Sequence, residues 1–247
     1  MNFKPTKFSY LPDVVKNLLI LNGLFFLGTF VLKNSFDLDL VKYLGLHAWQ
    51  SPDFMPHQLV THMFMHGSFS HILFNMFALW MFGNQLENIW GSKRFLIYFI
   101  ITGLGAAALQ LAVIQFQISF LEAKMGLDQI NMVLADGYGA LQNNMNFTDN
   151  AMAQLNSLYN TPTVGASGAV FGLLLAFGML FPNTVIYLYF AIPVKAKYFV
   201  TFYGLAELYM GIQNSPSDNV AHFAHLGGMV FGYFLIKYWR KNSSHFY

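Results

Sequence analysis

The chain contains no cysteine. Disulfides, thiolate metal sites and a cysteine nucleophile are therefore excluded. Charge is almost as scarce: Asp, Glu, Lys and Arg supply 10% of the 247 residues, against about 25% in a soluble domain. The formal net charge of +2 provides no basic surface for nucleic acid, so no such partner is expected. No His-Glu-x-x-His sequence occurs, and neither a metal nor another cofactor is expected. No internal repeat is visible, so the paired inverted halves common in transporters have no counterpart. Residues 1–16 hold three lysines but no signal-peptide cleavage pattern, and the first apolar run is expected to be retained.

What fills the chain instead is apolar: 55% hydrophobic residues, 18% aromatic ones and a mean hydropathy of +0.44. The expected solvent is a lipid bilayer, and the expected fold is an all-α membrane protein of six transmembrane helices. A crossing takes roughly 20 apolar residues. Residues 17–32 form the first run, lengthened by Lys16 and Lys33, which snorkel at its ends. Residues 34–58 read as an interfacial connection, and residues 72–82 are the firm part of span 2. A turn over 83–94 leads to span 3 at 95–121. Residues 122–163 are rich in Asn, Gln, Asp and Met, and predict one or two short surface helices. Span 4 is 164–181. Span 5 must come from 184–194, from 198–212, or from both, and the latter piece is weakened by Glu207. Residues 214–218 read as a turn, and span 6 is 219–236.

These runs predict a cytoplasmic segment at 1–16, one membrane domain at 17–238 with a long outer connection at 122–163, and a cytoplasmic tail at 239–247. Lys4, Lys7, Lys16, Lys93, Arg94, Lys195, Lys197, Lys237, Arg240 and Lys241 all fall on one side of a six-span topology. The positive-inside rule makes that side, with both termini, cytoplasmic. The absence of cysteine and of a targeting segment fits a bacterial inner membrane.

Span 4 opens on Gly165-Ala166-Ser167-Gly168, with Phe171 and Gly172 beyond it. Alone, this is a small-residue face that lets helices approach closely. Three spans entering from the outer side, however, carry polar residues at similar depth: His71 and Asn75 on span 2, Ser167 on span 4 and His225 on span 6. Intramembrane polar groups are costly and default to a functional reading. A serine needs a base to take its proton, and a neutral histidine is one. His71 and Asn75, at i and i+4, share a face and can donate to an oxyanion. The N-terminus of span 4 adds backbone donors. His225 is expected about two turns into span 6. Phe171 either supports the imidazole or simply packs. Gly168-x-x-x-Gly172 and Gly228-x-x-x-Gly232 allow two helices to meet. No Asp or Glu lies on spans 2, 4 or 6 at this depth, so a Ser167–His225 dyad is expected, without a carboxylate third member. His57, His62, His66 and His222 read as interfacial, Glu207 as facing a neighbouring helix or the interface, and Asn146-Phe147-Thr148 as a conditional glycosylation acceptor.

The set His66-Gly67, His71-x-x-x-Asn75, Glu87, Gly91, Arg94-Phe95, Gly165-Ala166-Ser167-Gly168 and Ala224-His225-Leu226-Gly227-Gly228 through Gly232 resembles, in order, the rhomboid intramembrane serine proteases. The resemblance covers roughly residues 55–236. It implies a six-helix bundle with a water-filled cavity open to the outer side. It implies Ser167 as nucleophile, His225 as base, and His71, Asn75 and the Ser167 N–H as oxyanion hole. The implied substrates are single-span membrane proteins cut in or near the bilayer. The 122–163 connection exceeds the family's minimum. A non-catalytic binder of transmembrane segments and a solute or metal-ion transporter are the competing readings.

Overall fold

The computed structural model describes residues 9–188, 191–213 and 220–242; the expected turn at 214–218 and much of both terminal segments lie outside them. The order is α1 (Asp13–Phe36), α2 (Leu40–Leu44), α3 (Gln58–Thr61), a 3-10 turn (His62–Phe64), α4 (Phe69–Trp90), α5 (Ser92–Glu122), α6 (Leu127–Gln142), α7 (Asn150–Asn160), α8 (Ser167–Leu180), β1 (Val185–Leu188), β2 (Ile192–Lys195), α9 (Ala196–Gln213) and α10 (His222–Asn242). Among the described residues the fold is all-α apart from one pair of antiparallel strands. Helices α1, α4, α5, α8, α9 and α10 fall where the six apolar runs were expected. By length and composition alone, α1 and α5 are long and apolar enough to cross a membrane, and α8 is a shorter apolar helix.

Two stretches differ from the sequence-based expectation. Residues 83–90 continue α4 and are not part of a turn; the connection shrinks to Gly91 at φ 74°. Asn84 and Glu87 of this stretch are bonded to the chain before and at the start of α1. Asn84 Nδ2 donates to the Tyr10 carbonyl at 2.6 Å, and the Glu87 carboxylate accepts from Val14 N–H at 3.0 Å and Val15 N–H at 2.8 Å. Glu87 thus satisfies donors at an α1 terminus that its own N-cap, Pro12, leaves without a side-chain partner. The second difference is residues 184–194. Within them Val185–Leu188 and Ile192–Lys195 pair as the antiparallel β1–β2 ribbon, in register Val185 with Lys195, and not as a helix. The fifth long helix is α9 alone. Pro193 has no N–H to give and suits a short ribbon better than a helix.

Helix α5 is the axis of the bundle. Phe95, Tyr98 and Phe99 are fully buried, and α5 packs on both α8 and α10. Helix α8, only 14 residues long, is enclosed: nearly every residue from Gly168 to Gly178 is buried. Tyr98 ties α5 to α8 by donating its hydroxyl to the Gly172 carbonyl at 2.9 Å. By contrast, α1 exposes Leu24, Leu27 and Phe30 on its outer flank, as a lipid-facing surface would.

The 122–163 connection folds into the two expected helices, α6 and α7. They share a small core of Val133, Met152, Leu155 and Tyr159 with Ile114 and Ile118 from the end of α5. Asn146 joins this unit from within: its amide donates to the Ala153 carbonyl and its carbonyl accepts from Asn156.

Candidate active site

The site lies where the N-termini of α8 and α10 meet, beside the start of α4. Gly165 approaches α8 at φ +124°, a backbone conformation that glycine tolerates and L side chains rarely adopt. A β-carbon there would also stand 2.7 Å from His71 Nε2 and 3.5 Å from Ser167 Oγ, so these two polar atoms flank one small space. Gly165 N–H is anchored on the His62 carbonyl at 2.9 Å. Ser167 is the first residue of α8, no side chain caps that end, and the bond Val170 N–H to Ala166 carbonyl closes its first turn. Backbone donors of the first turn are therefore available to an anion.

Ser167 Oγ lies 2.9 Å from His225 Nε2. His225 sits one turn into α10, not two, because the helix begins at His222. The Phe171 ring stacks on the imidazole at 4.1 Å between centroids and 6° between planes, so Phe171 does more than fill volume. The glycines explain how the two helices come so close. A β-carbon on Gly228 would strike the Gly168 carbonyl, and one on Gly168 would strike Ala106 of α5. Gly172 and Gly232 serve α5 instead, facing Thr102 and Tyr98. The two Gly-x-x-x-Gly pairs therefore seat α8 and α10 on α5 as well as on each other.

His71 and Asn75 stand together on α4, where Asn75 Nδ2 donates to the His71 carbonyl at 3.0 Å. That spends one of two amide protons and leaves the other for a ligand. The His66 ring packs edge-on against His71 at 5.0 Å. A cleft of about 250 Å³, counting space open to solvent, is lined by His62, Met63, Gly165, Ser167, Gly168 and Ala224. Beside it, burial pushes His62 down to about 4, and burial with the neighbouring His71 ring does the same to His66. Both are therefore neutral near pH 7.

One expectation needs correction. A carboxylate does reach the histidine: Glu207 Oε2 of α9 accepts from His225 Nδ1–H at 2.8 Å. The same oxygen accepts from His222 Nδ1–H at 2.6 Å, and all three residues are buried. His222 is thus packed inside the bundle and bonded to Glu207. Spans 2, 4 and 6 carry no acid at this depth, as expected, but α9 supplies one. The available signal was a lone glutamate in an apolar helix together with histidines at i and i+3. The ligand atoms of Glu207, His222 and His225 lie within 4.8 Å of one another, a spacing a cation can use, but the two hydrogen bonds already account for it.

The fold and site define a class: apolar helical bundles that set a partly buried serine and a buried histidine between two glycine-faced helices. Comparison with known proteins narrows it. The Rhomboid domain family model matches residues 53–242, and the chain belongs to the rhomboid family. A RHOMBOID-like protein 12, mitochondrial, of Arabidopsis thaliana is 27% identical over 219 residues, 87% of this chain and 55% of that protein. The Rhomboid protease AarA of Providencia stuartii is 26% identical over 172 residues, 69% of this chain and 51% of that protein. An uncharacterized mitochondrial rhomboid protein of Schizosaccharomyces pombe is 36% identical over 89 residues, 34% of this chain and 23% of that protein. The chain spans about half the length of the first and less of the last.

Proposed function

We propose that this protein is an intramembrane serine endopeptidase that cleaves transmembrane or juxtamembrane segments of single-span membrane proteins. The observation that carries the reading is the 2.9 Å contact between Ser167 Oγ and His225 Nε2, inside a member of the rhomboid family. Ser167 Oγ attacks the scissile carbonyl carbon while its proton passes to Nε2. The developing oxyanion receives hydrogen bonds from the Ser167 N–H, His71 and Asn75. Collapse of the tetrahedral species breaks the C–N bond, and the amine leaves with the proton held by His225. A water then gives a proton to the same nitrogen while its oxygen bonds the acyl carbon; the C–Oγ bond breaks, the proton on Nε2 returns to Ser167 Oγ, and the acyl group leaves as its acid. No cofactor enters these steps.

The reading extends to topology. Six crossings by α1, α4, α5, α8, α9 and α10 would put both termini in the cytoplasm and the α6–α7 unit outside, as the Lys and Arg distribution requires. The bacterial inner membrane draws no support from the two relatives with mitochondrial names, so the reading commits to a membrane and not to that one.

The test uses purified full-length protein in detergent and in proteoliposomes. A fluorophosphonate probe should label wild type and spare Ser167→Ala, and only wild type should cut a single-span reporter. Cleavage that survives Ser167→Ala would overturn the assignment. A wild-type protein that neither labels nor cuts would return the non-catalytic binder of transmembrane segments to first place.

A further inference from the structure

We infer that Glu207 is the positioning carboxylate of the site: it holds His225 through Nδ1 in the tautomer that receives the Ser167 proton, and His222 holds Glu207. The inference rests on the protease reading and adds two residues to it.

A carboxylate in an apolar helix is costly unless it is paired and hydrogen-bonded. Glu207 is 3% exposed, and one of its oxygens accepts two imidazole N–H groups, at 2.6 and 2.8 Å. Such an investment fixes something. A neutral imidazole carries one proton, on either nitrogen. An ionised carboxylate only accepts, so facing Nδ1 it keeps the proton there and leaves Nε2 with a free lone pair. That lone pair is what faces Ser167 Oγ at 2.9 Å. Phe171, stacked on the ring face, restricts tilting but cannot choose the tautomer. Glu207 can.

The carboxylate also acts during the reaction. When the Ser167 proton reaches Nε2, the imidazole becomes a cation with both nitrogens protonated. The charge forms against Glu207 in an interior where attraction is less screened than in water. The proton on Nδ1 does not move; the one on Nε2 leaves with the amine. His222 lies one turn before His225 on the same face of α10 and bonds the same oxygen, so Glu207 is clamped between two rings of one helix. Helix α9 is thereby tied to α10 at the site, and any displacement of α9 loosens the base.

The experiment compares Glu207→Gln and Glu207→Leu with wild type, Ser167→Ala and His225→Ala, using reporter kcat and KM and the rate of fluorophosphonate labelling per folded molecule. We expect Glu207→Leu and Glu207→Gln each to lower kcat by about 10²- to 10⁴-fold, with KM changed less than about twofold. In a His225→Ala background neither change should lower the labelling rate further, because Glu207 acts only through His225. Should Glu207→Leu not fold, Glu207→Gln, which keeps volume and an acceptor, carries the same test. Wild-type kcat in Glu207→Gln, or an equal loss with and without His225, would overturn the inference and leave Glu207 a structural group. Ser167→Ala separates the two readings. If it still cleaves, the protease reading of this site falls. If it is dead while Glu207→Gln is unimpaired, Glu207 alone is removed.

Discussion

Gly228 of α10 lies against the backbone carbonyl of Gly168 of α8, closer than any β-carbon would allow. Gly168 adjoins Ser167, and His225 lies one turn before Gly228. The approach of two backbones thus sets the distance between nucleophile and base. Gly228→Ala should cost about 1–3 kcal/mol, the usual penalty of overpacking, and should slow serine labelling by separating the pair. Thermal unfolding in detergent and the labelling rate check both; wild-type values for the two together would refute the role of this contact.

Asn75→Ala should lower kcat more than it raises KM, because oxyanion charge develops only in the transition state. Loss of one such donor costs about 10²–10³ in rate when few are present. His71 and the Ser167 N–H remain here, so a smaller loss is expected. Unchanged kcat with a much higher KM would reassign Asn75 to substrate recognition.

His225→Ala should nearly abolish cleavage, and adding Ser167→Ala should remove little more, since base and nucleophile act in one step. The single variant also strips Glu207 of one of its two donors. A stability loss of about 1–3 kcal/mol is therefore expected and does not argue against the base role. Rapid probe labelling of folded His225→Ala protein would.

Glu87→Ala should loosen α1 from α4. The carboxylate serves Val14 N–H, Val15 N–H and the Ser92 hydroxyl, the last at 2.6 Å. Orphaning buried donors costs about 1–3 kcal/mol. A lower unfolding midpoint with a wild-type kcat at low temperature is expected, because Glu87 lies at the far end of α4 from His71. A kcat loss without destabilisation would contradict this.

Stability should fall on mild acidification. His62 and His66 are held near 4 in the folded chain, chiefly by burial, against the usual 6.5 once unfolded. Well above pH 6.5 neither state is protonated and the full stability is present. Between 6.5 and 4 the unfolded chain takes up protons that the folded chain refuses, so stability drops as the pH falls. Each histidine accounts for about 3 kcal/mol over that window. Unfolding midpoints measured across it should decline, and His62→Gln should decline less steeply. A flat wild-type profile would show that these rings bind protons while folded.

The lipid-facing character of the chain, the places of the long helices and the pairing of Ser167 with His225 were legible in the sequence, for a common reason. Apolar runs, glycine spacing and isolated polar residues are local properties, and few arrangements in an apolar medium satisfy all three. The pieces that were misread depend on partners far away in the chain. Residues 83–90 look like a turn until Tyr10, Val14 and Val15 arrive to occupy Asn84 and Glu87. Residues 184–194 look like part of a span until β1 pairs with β2. Glu207 reads as an awkward charge in a helix until α9 packs on α10 and one oxygen meets two histidines. A lone carboxylate carries no mark of its partner in one dimension. Its meaning comes from which N–H groups share its buried space, and only the tertiary structure decides that.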